Sequence, residues 1–168
     1  KAAGHQVIQA TDITKLQKYR RVLFVSQSDN SRGPMAAELL RNESLEQEYI
    51  IGSRGMVVLF PEPANQKAEA IMRSRQMTLA EHEATQLCEE DLDDDTLIFT
   101  FEEAQKWKIV SDYENVKHVY TLGEYIDDDR VVGSSHGQPL NVYGENFELL
   151  RELIHKLAER LNEEARSK

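Results

Sequence analysis

Residues 22–40 read VLFVSQSDNSRGPMAAELL, and how they are read decides the fold. Val22 to Val25 is a short continuous apolar run, the mark of a strand covered on both faces. Residues 26–33 are small and polar. Pro34 stands where a first helical turn tolerates a missing N–H. The stretch predicts strand, tight loop and helix. A loop that runs from a strand into a helix N-terminus aims several backbone N–H groups at one point, and the helix dipole adds partial positive charge there. Arg32, six positions after Ser26, adds a planar guanidinium fork suited to two oxygens of an oxyanion. The plainer alternative stays open at this level: Ser, Asp and Asn fill a turn and cap a helix.

The pattern continues outward from this unit. YIIGSRG (49–55) predicts a second strand, and MVVLFPEP is broken by Pro61 and Pro63 into a loop with exposed hydrophobics. Residues 64–77 carry Ala68, Ile71 and Met72 at helical spacing. A turn over 78–87 and a short acidic helix within CEEDLDDDT lead to a third strand over 96–101. A helix over 102–113 and a fourth strand over 116–122 follow. Residues 123–140 predict a long polar loop, and length alone makes such a loop a functional candidate. The helix that ends the chain (141–164) has the apolar stripe Leu150, Leu153, Ile154, Leu157 and Leu161. Four strand–helix alternations predict an α/β fold, a four-stranded parallel sheet flanked by helices on both faces. We expect a tail or short helix over 1–20 and one domain over 21–165. Ligands of such sheets bind at the carboxyl ends of the strands, where the 26–33 loop and the long loop both sit.

Composition narrows the classes. A net charge of −10 argues against non-specific binding to nucleic acid or to an anionic membrane. No apolar run approaches the roughly 20 residues of a membrane span. No secretory signal is visible, and the chain starts at Lys1 without Met. A single cysteine, Cys88, excludes an internal disulfide framework and a Cys-rich zinc site. The reading is of a cytoplasmic protein that needs no cofactor and no metal.

The opening stretch resembles the loop of the low-molecular-weight protein tyrosine phosphatases, V-C-x-G-N-x-C-R-S-P-M-A-E. The resemblance extends to SRG at 53–55, to the Pro-containing loop, to His82, Ala84 and Leu87 (the family's H-x-A-x-x-L), to LIFTFEEAQKWKI and to VYTLGEY. It covers about residues 20–162. It implies the fold above, a phosphate or phosphotyrosine-containing protein as partner, and phosphate-binding residues Ser26, Gln27, Ser28, Asp29, Asn30, Ser31 and Arg32. In the family, residues before the Pro-containing loop wall the substrate cleft. That implies a cleft role for Leu59 and Phe60, with packing onto the body as the alternative for 56–60. His82 matches a position we read as structural.

The departures bear on function. The resemblance places Ser26 where the family has its nucleophilic cysteine. Loop amides and an arginine lower a thiol's pKa, whereas a serine hydroxyl needs an adjacent base. Gly33 replaces the hydroxyl residue that bonds the thiolate, Ser28 and Asp29 replace the Gly and Asn, and Ser31 replaces the second Cys. An Asp29 carboxylate would repel phosphate unless its side chain turns away. The family's general acid is the Asp of D-P-x-G. Aligned on Gly137 and Tyr143, that pair falls on Ser134–Ser135. Losing a general acid typically costs about 10²–10⁴-fold. Asp127 to Asp129 are possible substitutes, though a solvated charge run is the plainer account. His136 could contact phosphate or donate a proton, or simply decorate a surface loop. Cys88 reads as a partly buried lone thiol, and Trp107 as core or a half-exposed anchor. We therefore expect a catalytically impaired relative binding phosphate through Ser26–Arg32, with Ser26, Arg32 and Ser134 in the catalytic positions. Two alternatives remain: an active phosphotyrosine phosphatase represented by a Cys-to-Ser variant, and an interaction module that binds no anion.

Overall fold

Arg21–Ser26 forms strand β1, whose side chains alternate between two apolar surfaces. Val22 and Phe24 enter one buried cluster, and Leu23 and Val25 enter another on the opposite face. The computed structural model describes residues 17–167. β1 is followed by α1 (Arg32–Arg41), β2 (Ile50–Gly55), α2 (Gln66–Arg73), a 3₁₀ turn at Glu89–Asp91, β3 (Thr96–Thr100), α3 (Glu103–Asp112), β4 (Val119–Thr121), α4 (Leu122–Ile126) and α5 (Leu140–Arg166). The sheet order is β2-β1-β3-β4, all parallel. The chain leaves β1 for β2 on one side and returns to β3 on the other. The loop after β1 therefore lies at the point where strand order reverses, the usual crevice for ligands in such sheets.

Burial explains the strand runs. β3 repeats the alternation of β1, with Leu97 and Phe99 in the larger cluster and Ile98 in the smaller. Phe24 and Phe99 stack at 5.7 Å across the two strands. The larger cluster also takes the α1 and α5 faces, and all five residues of the α5 stripe are buried in it. The smaller cluster is closed by Ile109 of α3 and by Leu87. No helix among the described residues is long and apolar enough to cross a membrane.

Several boundaries differ from the sequence expectation, each for a local reason. α1 stops at Arg41, where Asn42 turns its side-chain amide back onto the Glu38 carbonyl (2.8 Å). The chain beyond is pinned to α5 by Asn162, which accepts from Glu46 N–H (2.8 Å) and donates to Ser44 O (2.9 Å). The fourth strand shortens to three residues and the polar loop opens with α4. There Thr121 and Glu124 cap each other reciprocally: Glu124 N–H donates to Thr121 Oγ1 (3.1 Å) and Thr121 N–H to Glu124 Oε2 (2.8 Å). Residues 1–16 of the expected tail lie outside the described residues. Of the remainder, Tyr19 is buried in the core and meets the His118 ring edge-on at 5.1 Å, so the packed body starts before Arg21. Trp107 is exposed on α3, and Cys88 is exposed rather than partly buried.

A charged cluster ties the 3₁₀ turn to the sheet. Asp91 pairs with Arg21 of β1 (3.0 Å) and Arg54 of β2 (3.1 Å), and its side chain is 5% exposed. Burial alone would raise its pKa, but the Cys88 N–H and the two guanidinium groups hold it below the usual carboxylate range. The folded pKa is thus lower than the unfolded one, so this contribution is complete above about pH 4 and fades as the pH falls towards the folded value. Asp91→Asn is expected to cost about 1–3 kcal/mol in urea unfolding at pH 7, discounted because both arginines reach solvent. The difference from wild type should shrink in acid.

Candidate active site

The carbonyls of the loop after β1 are tied to its surroundings. Ser26 O accepts from Met56 N–H (2.9 Å), Gln27 O from Val57 N–H (3.1 Å), Asn30 O from Asn65 N–H (2.8 Å) and Ser31 O from Met35 N–H (3.0 Å). Asp29 O receives His82 Nε2 at 2.6 Å. With its carbonyls engaged outward, the loop leaves its N–H groups uncommitted. Among the described residues, no acceptor takes the amides of Gln27 through Arg32. Six uncommitted donors next to the start of α1 are the arrangement of amides that the strand–loop–helix pattern predicts, one suited to an anion. Asp29 provides the sharp bend, at φ 56°, a left-handed conformation that Asp and Asn tolerate better than most residues.

These residues border a cavity of about 300 Å³. Of the expected site residues, Ser26, Gln27, Ser28, Asn30, Ser31, Arg32, Ser134 and His136 line it. Ser134 therefore faces the same space as Ser26, although 108 positions separate them in the chain. Its Oγ accepts the His136 N–H (3.2 Å), a short turn that shapes this rim. Asn65, Ser135 and Tyr143 complete the lining. In the sequence Tyr143 served only to align the loop and Ser135 only as the position of the family's proline; Asn65 was missed, its one signal being a cap-type residue ahead of α2, whose Lys67 and Ala68 amides it accepts.

Arg32 is 6% exposed. Its Nη1 donates to Val132 O (2.8 Å) and lies 3.5 Å from Glu102 Oε2, while Phe101 underlies the guanidinium at 5.3 Å. Burial lowers its pKa and Glu102 opposes that. It remains a cation at any ordinary pH. Nε and Nη2 have no partner among the described residues, so two donors stay available. Neither Glu102 nor Val132 was singled out from sequence.

Three expected site residues sit elsewhere. Leu59 and Phe60 are 87% and 66% exposed and are not part of the cavity wall. They project from the loop between β2 and α2, held in place instead by the Met56 and Val57 amides. Asp29 is fully buried with its carboxylate turned from the cavity, Oδ2 accepting the Thr85 N–H (2.9 Å). Any hydrogen bond from Asp29 to an anion in the cavity is through its amide. The acidic run 127–129 lines a separate cavity with Glu102 and Arg130. Asp128 is held ionised well below the carboxylate range by Arg130 and Lys156, which disqualifies it as a proton donor.

Ser26 Oγ has no hydrogen-bond partner among the described residues, so no base is in place to take its proton. A Cβ at Gly33 would come to 3.2 Å from it. The family's hydroxyl residue after the arginine would thus stand against this very atom, and Gly33 supplies nothing there.

Fold and site together define a phosphatase-type cradle: a parallel α/β sheet with an amide nest and a buried arginine at the carboxyl end of its central strand. The chain belongs to the low molecular weight phosphotyrosine protein phosphatase family, whose model matches residues 21–168. It is 30% identical over 146 residues to a protein-arginine-phosphatase of Geobacillus stearothermophilus, covering 86% of this chain and 97% of that protein. The solved YwlE arginine phosphatase from the same organism superposes with a TM-score of 0.81 at 29% identity, covering 88% of this chain and 96% of that one. A cysteine-to-serine mutant of a YwlE arginine phosphatase, with a phosphorylated active-site serine, gives 0.79 at 25% identity, covering 88% and 99%.

His82 fastens the loop at its bend. His82→Ala is expected to destabilise the protein by about 1–2 kcal/mol in urea unfolding, since it strips the Asp29 carbonyl of its partner.

Proposed function

We propose that this protein is a catalytically impaired member of its family that holds phosphate, or the phosphorylated side chain of a partner protein, in the Ser26–Arg32 loop. One observation carries the reading: Ser26, Arg32 and Ser134 share a single cavity whose amide nest is intact, while neither serine has a group that would activate it. The anion is held by the amides of 27–32 and by the free Nε and Nη2 of Arg32. Ser26 occupies the nucleophile's position, and its hydroxyl stays protonated. Ser134 occupies the general acid's position and cannot supply a proton to a leaving phenolate with useful efficiency.

The relatives support phosphoproteins as the partner class and leave two side chains in play, phosphotyrosine and phosphoarginine. That a serine in this position carries phosphate in the YwlE mutant supports room for a phosphoryl group against Ser26. Several site residues differ together here, at 26, 28, 29, 31, 33 and 134, and a single engineered Cys-to-Ser change does not account for that.

Phosphate or sulfate should raise the melting temperature of the wild type and not of Arg32→Ala. Wild type should show no detectable hydrolysis of phenyl phosphate. Ser26→Cys should restore slow turnover, and adding Ser134→Asp should speed it by about 10²–10⁴-fold. Robust turnover by wild type that disappears in Ser26→Ala would overturn the proposal. A melting temperature indifferent to both anions would favour an interaction module without anion binding.

A further inference from the structure

Asp29 is the single acidic residue of the loop, and the structure gives its carboxylate poor support. It is fully buried. Oδ2 has the Thr85 N–H, but Oδ1 has no hydrogen-bond partner among the described residues. A buried carboxylate is stable as an anion only when several donors or a cation meet it. The Ser53 hydroxyl of β2 favours the anion from nearby without reaching Oδ1 as a hydrogen-bond partner, and the charged groups around Asp29 fall short. His82 Nε2 is 3.8 Å from Oδ1 but is spent on the Asp29 carbonyl at 2.6 Å. Arg54 of β2 is committed to Asp91 (3.1 Å) and to Ser53 O (2.8 Å). Glu38 and Arg41 of α1 pair with each other (3.0 Å), and Glu83, beside His82, is exposed.

The opposite side of the same few peptides carries the amide nest. An ionised Asp29 and a bound oxyanion are like charges separated by one layer of backbone in a poorly solvated place, and each opposes the other. Linkage makes the effect reciprocal: a proton on Asp29 strengthens anion binding, and a bound anion strengthens Asp29's hold on that proton. We infer that the loop takes its oxyanion together with a proton on Asp29, so that Asp29 sets the pH range over which the cradle binds. The inference rests on the proposed anion binding at Ser26–Arg32. Burial already holds the Asp29 carboxyl above the ordinary carboxylate range, partly offset by the Ser53 hydroxyl, then by Thr85, His82 and Arg54, which brings the transition closer to neutrality than for a solvated aspartate.

Sulfate is the suitable probe, because its own charge is constant near neutral pH. Calorimetric titration from about pH 5.5 to 8 should show wild-type affinity rising as the pH falls, by at most about tenfold per unit. Heats should differ between buffers of different ionisation enthalpy, reporting protons taken up on binding. Asp29→Asn fits the left-handed bend and keeps an oxygen for the Thr85 N–H. It should bind sulfate at pH 8 about as tightly as wild type does at the acid end, with no buffer dependence. His136→Gln, which removes the imidazole of the cavity rim, should keep the wild-type pH slope. A pH-independent wild-type affinity without proton uptake overturns the inference and leaves anion binding standing. So does a slope that survives Asp29→Asn or vanishes in His136→Gln. Sulfate binding to none of the three proteins at any pH overturns the anion site itself, and this inference with it.

Discussion

Five carbonyls of one short loop are held by four separate parts of the chain: the turn after β2, the start of α2, the His82 segment and the first turn of α1. The rest of the site depends on that constraint. A peptide whose C=O is fixed outward has its N–H fixed the other way, so anchoring the carbonyls is what presents the amides. Three of the five anchors follow directly from β2 and α1, which pack on β1, and among the described residues no hydrogen bond runs inside the loop between residues 27 and 31. An amide nest of this kind needs no particular side chains at 27–31, only a bend residue that tolerates φ 56° and neighbours that hold the carbonyls.

That separation lets the side chains at 26 and 33 vary while the backbone of the loop keeps its shape. Replacing thiol by hydroxyl at residue 26 leaves the backbone untouched, and a glycine at 33 removes a contact near 3.2 Å from Ser26 Oγ without opening the strand–helix junction. Arg32 is secured by Val132 and Glu102 from two other elements, so its placement does not depend on what stands at 26. The scaffold and the groups at 26 and 33 are carried by different atoms here.

Much of the fold was legible in the sequence. Val22–Val25 read as a strand buried on both faces and 96–101 as a strand, and both lie between two apolar layers as parallel strands do. The α5 stripe read correctly because one face of a long helix meets the core along its whole length. Boundaries were less legible. The end of α1 turned on a side-chain bond from Asn42, and α4 on the Thr121–Glu124 capping pair, a four-residue pattern that was present in TLGE and easily passed over inside a polar loop. The resemblance pointed to 26, 32 and 134 together, and the structure sets all three around one cavity. Leu59 and Phe60 lie exposed outside that lining, because apolar residues before a proline loop fit a cleft wall and an exposed knuckle equally well.

Local sequence determined the strand–loop–helix unit at residues 21–41, the four-strand alternation and the identity of the groups at 26, 32 and 134. Those follow from periodicity and residue type, which act over a few positions. Only the tertiary structure decided that Ser134 and Asn65 join Ser26 around one cavity. It alone also decided that Glu102 and Val132 hold Arg32, and that Asp29 turns its carboxylate away into a site with too few donors. These are contacts between residues tens of positions apart, set by how the β4–α5 loop and the His82 segment pack over the ends of the strands. No local pattern encodes such packing, because it is the summed burial of the whole sheet that brings those segments together.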